Sequence, residues 1–299
     1  MKSLAQTLLD ANLEIAQRFR ALFEIRGIET QEAVNILIEA FIAEKSSDLL
    51  KHEICYCLGQ MNTNSENTKA IEEFFEQILS EDHSSIVIHE AVEGYANLNP
   101  SNIKNLLEKF KGIDDELITE TWDLALELNK WQEETQMGES EGLDLKKLKH
   151  ATNDPAPPFN PEKSDNYRSV EWLKDLLLNP KEMNFDRYRA MFTLREIGTE
   201  EACEALWLTL SDDHSADCSA LLKHEIGFVL GQMGRNFASV CTPFLIKTVE
   251  NEEEAGVVRH EWVIALGNIT DKTEVMLKYS QDPDPIVRES CQVAQDMVH

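Results

Sequence analysis

LLKHEICYCLGQM, from Leu49 to Met61, comes back as LLKHEIGFVLGQM from Leu221 to Met233, with ten of thirteen positions identical. Each copy holds a His-Glu pair, His52-Glu53 and His224-Glu225. A further pair follows each: His89-Glu90 lies 37 residues after His52, and His260-Glu261 lies 36 residues after His224. Through most of the chain apolar residues recur three and four positions apart, as in Leu4, Leu8, Leu9, Leu13 and Ile15, while the valine-rich alternation of strands is missing. The chain therefore reads as all-α. Its helices are short, roughly ten to fifteen residues, and pair with a period in the mid-thirties, the length of a helix-turn-helix solenoid repeat.

Outward from the repeated stretch the same order holds twice. RFRALFEIR at Arg18–Arg26 is matched by RYRAMFTLR at Arg187–Arg195, and Ile118–Leu126 by Val287–Ala294. Arg187 follows Arg18 by 169 residues, His224 follows His52 by 172, His260 follows His89 by 171, and Glu289 follows Glu120 by 169. So small a drift means loop-length changes within one plan: two pseudo-symmetric halves of four helical hairpins, residues 1–131 and 167–299. His-Glu stands in the second and third hairpin of each half, and Glu-Thr or Glu-Ser in the fourth.

Between them, residues 132–166 lose the pattern and carry Gly138, Gly142, Asp154-Pro-Ala-Pro-Pro158 and Pro161. Proline at this density cannot continue a helix and favours an extended, semi-rigid linker. Lys146, Lys147 and Lys149 inside it read as a solvated face.

Fifty-five acidic against 28 basic side chains give a formal charge of −27, which opposes nucleic acid and anionic membrane surfaces and suits a cationic substrate. No apolar run approaches the roughly 20 residues of a spanning helix, and the N-terminus lacks an apolar core with a cleavage site. A soluble, cytoplasmic protein is expected. The six cysteines sit in apolar helical patterns without a CxxC pair, and read as reduced core residues.

A lone histidine at the start of a buried helix is ordinarily a hydrogen-bonded core residue. The set reads differently: four of eight histidines precede Glu, where an acidic fraction of 55 in 299 predicts about one or two, and all four occupy equivalent registers. Successive helix residues are about 100° apart, so His and the next Glu straddle one face, and stacked helices lie roughly 8–10 Å apart, close enough for facing side chains to share an ion. If the two halves face each other, all four pairs converge on one cleft. Four His and two Glu divide into two sets of two His and one carboxylate, the set that leaves iron(II) open positions for oxygen. The two spare glutamates suit substrate ammonium groups or orientation of the ligands.

Zinc and manganese accept the same donors, so a dinuclear zinc hydrolase is one alternative, and a non-catalytic helical-repeat scaffold is another. His-Glu-x-x-His, a glycine-rich phosphate loop and a nucleophile elbow are all missing. Gly59 and Gly231 are isolated, so both LGQM segments read as helix ends or tight turns between repeats.

The RFRALF and RYRAMF starts, both LLKHE…LGQM segments, VIHEA, VRHE, DPAPP and the terminal ESCQVA are similar, over nearly the whole chain, to the deoxyhypusine hydroxylase family of HEAT-repeat di-iron monooxygenases. The resemblance implies a HEAT-like solenoid and two Fe2+ ions that react with dioxygen as a peroxo-bridged species. It implies hydroxylation of the deoxyhypusine side chain of eukaryotic translation initiation factor 5A. By position it assigns iron ligation to His52, His89, Glu90, His224, His260 and Glu261, and the catalytic, substrate-holding carboxylates to Glu53 and Glu225. Further substrate contacts fall on Glu93, Glu120, Gly59 and Gly231. The chain departs from the family pattern after the fourth pair: Ile264 stands where an acid is usual, which implies less symmetric substrate binding with the iron ligands unaffected.

Overall fold

The computed structural model describes residues 1–61, 65–108, 112–152, 154–211 and 214–298, and these contain helices and turns without a β-strand. In chain order the α-helices fall into successive pairs. The first four pairs are α1 (Lys2–Leu9) with α2 (Ile15–Arg26), α3 (Gln31–Ala43) with α4 (Asp48–Gly59), α5 (Ser65–Ile78) with α6 (Ser85–Asn97), and α7 (Ile103–Leu107) with α8 (Glu116–Thr135). Then come α9 (Val170–Leu178) with α10 (Asn184–Ile197), α11 (Glu200–Trp207) with α12 (Ala220–Met233), α13 (Ala238–Glu250) with α14 (Gly256–Ile269), and α15 (Glu274–Tyr279) with α16 (Pro285–Met297).

The chain forms two compact units, Met1–Asn129 and Lys130–His299. In the first, α1, α3 and α5 pack in one layer and α2, α4 and α6 in another; in the second, α9, α11, α13 and α15 pack in one and α10, α12, α14 and α16 in the other. The sequence expected this all-α hairpin stacking, and it follows from amphipathic helices that bury one stripe against a neighbour on each side.

Local chemistry sets the helix ends. Ser47 and Ser219 cap α4 and α12 by accepting the amides of Leu50 and Leu222 at 3.0 and 3.1 Å. Thr30, Ser169 and Thr199 do the same for α3, α9 and α11. Within three pairs an arginine near the start of the second helix reaches the end of the first. Arg18, Arg187 and Arg259 donate from Nε to the carbonyls of Leu8, Leu177 and Val249 at 2.9, 2.9 and 3.0 Å. These carbonyls lie in the last turn of a helix or next to it, where intrahelical partners run out, so a buried guanidinium is satisfied and the hairpin is closed by one contact. Buried Glu44 and Asp282 complete the charge pairs of Arg18 and Arg259.

The two LGQM segments differ. In the first, α4 ends at Gly59; in the second, α12 runs on through Met233, so Gly231 is a helix-interior residue and not a turn. A Cβ on Gly59 would lie 2.5 Å from the Cα of Gly94 on α6, and one on Gly231 would lie 3.2 Å from the Cα of Ala265 on α14. Both glycines mark places where two second-layer helices meet backbone to backbone.

In the second unit, α10 holds the proline-rich stretch. Arg189 donates to the carbonyls of Pro157 and Pro158 and to Glu141 at 3.1, 3.4 and 2.9 Å, and stacks over the Phe159 ring at 4.4 Å. Arg195 donates to the Thr152 carbonyl at 2.9 Å, and the Phe159 amide donates to Thr193 Oγ1 at 2.8 Å. The segment is extended and buried along α10. Lys146, Lys147 and Lys149 are exposed.

All six cysteines are buried in the core, and Cys203 and Cys241 face each other with 7.2 Å between their Cα atoms, beyond the usual span of a disulfide. These two stand on α11 and α13, adjacent first-layer helices, and stacking brings together positions that a spacing of 38 residues does not reveal. No helix among the described residues is long and apolar enough to cross a membrane.

Candidate metal centre

In the first unit the site begins with the serine cap of α4. Leu49, Leu50 and Ile54 are driven fully into the core, and the helix turn that buries them also carries in His52, 3% exposed, and Glu53, 8% exposed. On α6 every residue from Ile86 to Ala96 is buried, including His89, Glu90 and Glu93. With α4 against α6, the His52 and His89 rings lie 5.2 Å apart between centroids. His52, His89 and Glu90 each offer a donor atom within 4.8 Å of the other two.

Each side of the His52 imidazole faces a different carboxylate. Nε2 lies 3.2 Å from Glu90 and Nδ1 lies 3.6 Å from Glu53. His89 Nδ1 faces Glu93 at 3.6 Å, one turn further along the same helix.

The second unit repeats this arrangement on α12 and α14. The His224 and His260 rings are 5.1 Å apart, His224 Nε2 faces Glu261 at 3.8 Å, and His224 Nδ1 meets Glu225 at 3.0 Å. All four residues are buried. In both units the first histidine thus turns Nε2 toward the second pair's glutamate and Nδ1 toward its own.

A buried carboxylate that stays ionised needs a positive partner. At His52 the competition is visible: burial works against the imidazolium, but the charges of Glu90 and Glu53, which accept hydrogen bonds from the ring, outweigh it and raise its pKa from 6.5 to about 10. The site therefore holds a positive charge strongly, and a divalent ion would take the place of that proton. Two imidazoles with one carboxylate per unit form a donor set that fits iron, zinc or manganese.

The remaining expected residues take different places. Glu53 and Glu225 face ligand-type histidines at Nδ1. Glu93 is buried beside His89, and Glu120 is buried on α8, outside the cluster of His52, His89 and Glu90. Gly59 and Gly231 lie at helix crossings. One residue of the site's surroundings escaped the sequence reading. Trp262, next to Glu261, is fully buried and donates from Nε1 to the Lys223 carbonyl at 2.8 Å, filling the space over Gly227. Its signal was present as a paired change, since the first half has Ala91 and Cys55 at these registers.

Residues 186–206 match the family described as PBS lyase HEAT-like repeat. The chain is 38% identical over 297 residues to a deoxyhypusine hydroxylase of Candida albicans, covering 96% of this chain and 87% of that protein. It is 37% identical over 297 residues to a deoxyhypusine hydroxylase of Danio rerio, covering 97% and 89%. The solved structure of human deoxyhypusine hydroxylase in complex with glycerol superposes with a TM-score of 0.84 at 33% identity, over 99% of this chain and 95% of that one.

Proposed function

The chain belongs to the deoxyhypusine hydroxylase family, and from that premise we propose that it is a deoxyhypusine monooxygenase whose two buried His-Glu clusters hold two Fe2+ ions. The observation that carries this reading is the repetition: each unit buries two imidazoles and a cross-facing carboxylate in the same register. His52, His89 and Glu90 would hold one ion, and His224, His260 and Glu261 the other. When bound, iron supplies the activation of dioxygen for insertion of one oxygen into a substrate C–H bond.

The protein's own side chains do the rest. Glu53 and Glu225 each face Nδ1 of a ligand histidine, which leaves Nε2 as the metal-facing nitrogen and fixes the ring's orientation. The same two carboxylates would accept charge-assisted hydrogen bonds from the ammonium groups of the substrate's long amine side chain. Each such bond is worth about 1.5–3 kcal/mol and brings the target carbon beside the metal. Burial keeps water from competing for these charges. The macromolecular substrate of this reading is translation initiation factor 5A carrying deoxyhypusine, met in the cytoplasm. A formal charge of −27 favours encounter with a basic loop.

The test is anaerobic loading with Fe2+, metal analysis, and mass spectrometry of the deoxyhypusine-bearing factor after admission of oxygen. Two irons per chain and one added oxygen atom on the factor are expected, with iron lost in His52→Ala and His260→Ala. Stoichiometric zinc without oxygen uptake would point to a hydrolase instead. A folded, metal-free chain inactive after iron addition would overturn the enzyme and leave a scaffold.

A further inference from the structure

The second-layer helices α4, α6 and α12 each give an imidazole a carboxylate at Nδ1, but not in the same way. His52 and His224 face their own neighbours, Glu53 and Glu225, and the residues four positions on are aromatic, Tyr56 and Phe228. On α6 the carboxylate at Nδ1 comes instead from Glu93, four residues beyond His89, with 3.6 Å between Nδ1 and Oε1. Both side chains are buried, 0% and 5% exposed, and the i,i+4 spacing stacks them along one face of the helix. The corresponding residue of α14, four beyond His260, is Ile264, half-buried and without charge.

A carboxylate near Nδ1 of a metal-binding imidazole favours the tautomer that leaves Nε2 free and raises the basicity of the donor nitrogen, and at 3.6 Å Glu93 acts on His89 through its charge. Glu93 also adds a buried negative charge beside Glu53 and Glu90, where its counterpart Ile264 adds none beside Glu225 and Glu261. Both effects favour a divalent cation in the first unit. We infer that Glu93 is a positioning residue for His89 and that it makes the metal site of the first unit tighter than that of the second. This rests on the reading of the two clusters as metal centres. It gives Glu93 a role separate from contact with substrate, and it makes the loss of the acid at Ile264 a functional difference between the two sites.

The test uses the full-length, metal-free chain titrated anaerobically with Co2+ and with Fe2+, read by calorimetry and, for Co2+, by its visible absorption. The wild type is expected to bind two ions in two steps separated by about 10–100-fold, the range by which outer carboxylate partners tune metal affinity. His89→Ala should remove the tighter step. Glu93→Ile should weaken that step by the same 10–100-fold and bring the two together, with Glu93→Gln between. Ile264→Glu should tighten the weaker step. This last variant adds an acid at a half-buried position and decides the matter if Glu93→Ile fails to fold. Two indistinguishable steps in the wild type would overturn the inference, as would a Glu93→Ile variant with unchanged steps and only a raised KM, while leaving the metal centres standing. No binding of either metal would overturn the metal reading itself.

Discussion

Replacing Gly59 by alanine tests whether that glycine serves packing or substrate. The new Cβ would lie 2.5 Å from the Cα of Gly94, and ordinary contact begins near 3.4 Å, so α4 and α6 must part by about 0.9 Å. The obstructing atom is backbone, so no side-chain rotation relieves it. Overpacking of this kind costs about 1–3 kcal/mol, offset by up to about 0.8–1.0 kcal/mol from the better helix propensity of alanine, which is worth less at the last helical residue. The expected net loss is roughly 1–2 kcal/mol, a fall in Tm of roughly 2–3 °C at about 2.1 cal/mol/K of unfolding entropy per residue. The same separation pulls His52 away from Glu90, now 3.2 Å apart, and strains the hydrogen bond from Asn97 Nδ2 to the Gly59 carbonyl at 2.9 Å. Metal affinity should therefore fall together with stability. Gly231→Ala is the internal control, because its Cβ meets Ala265 Cα at 3.2 Å and needs a shift of only a few tenths of an ångström. Its propensity gain should cancel that cost to within about 0.5 kcal/mol. Calorimetric melting and metal titration of both variants settle the point. A Gly59→Ala protein with wild-type Tm and metal affinity but a raised KM would refute the packing argument and return Gly59 to the substrate.

Gly227→Cys, which installs the first half's residue, would set a Cβ 2.7 Å from Trp262 Cδ1 and Nε1, and should destabilise by about 1–3 kcal/mol in denaturant melts. Combined with Trp262→Ala it should be much less harmful, as Cys55 with Ala91 is in the first unit; simple additivity in the double-mutant cycle would show the two sites uncoupled. A pH effect follows from His52, whose folded pKa near 10 exceeds its ordinary 6.5. The stabilisation of the metal-free protein is complete below about pH 6.5 and is lost as pH rises toward 10, so Tm should decline across that window. The metal-loaded protein should lack this decline, and His52→Gln should flatten it in the metal-free form.

The hairpin array, the two-fold repetition and the four His-Glu registers were legible in the sequence, because helical periodicity and repeat length are local properties that each segment carries by itself. So was the pairing of His52 with His89 and of His224 with His260, since equivalent places in stacked repeats line one layer. The structure alone decided what each partner does. Which imidazole nitrogen faces which glutamate depends on side-chain direction across two helices, and the sequence could number Glu53 and Glu225 as spare but not place them at Nδ1. Gly59 and Gly231 occupy the same motif, yet one meets Gly94 and the other Ala265, and the neighbour's side chain sets how closely the helix backbones approach. The approach of Cys203 to Cys241 and the burial of residues 154–160 on α10 likewise come from contacts between segments far apart in sequence. Periodicity fixes which residues point inward; tertiary packing fixes what they meet there.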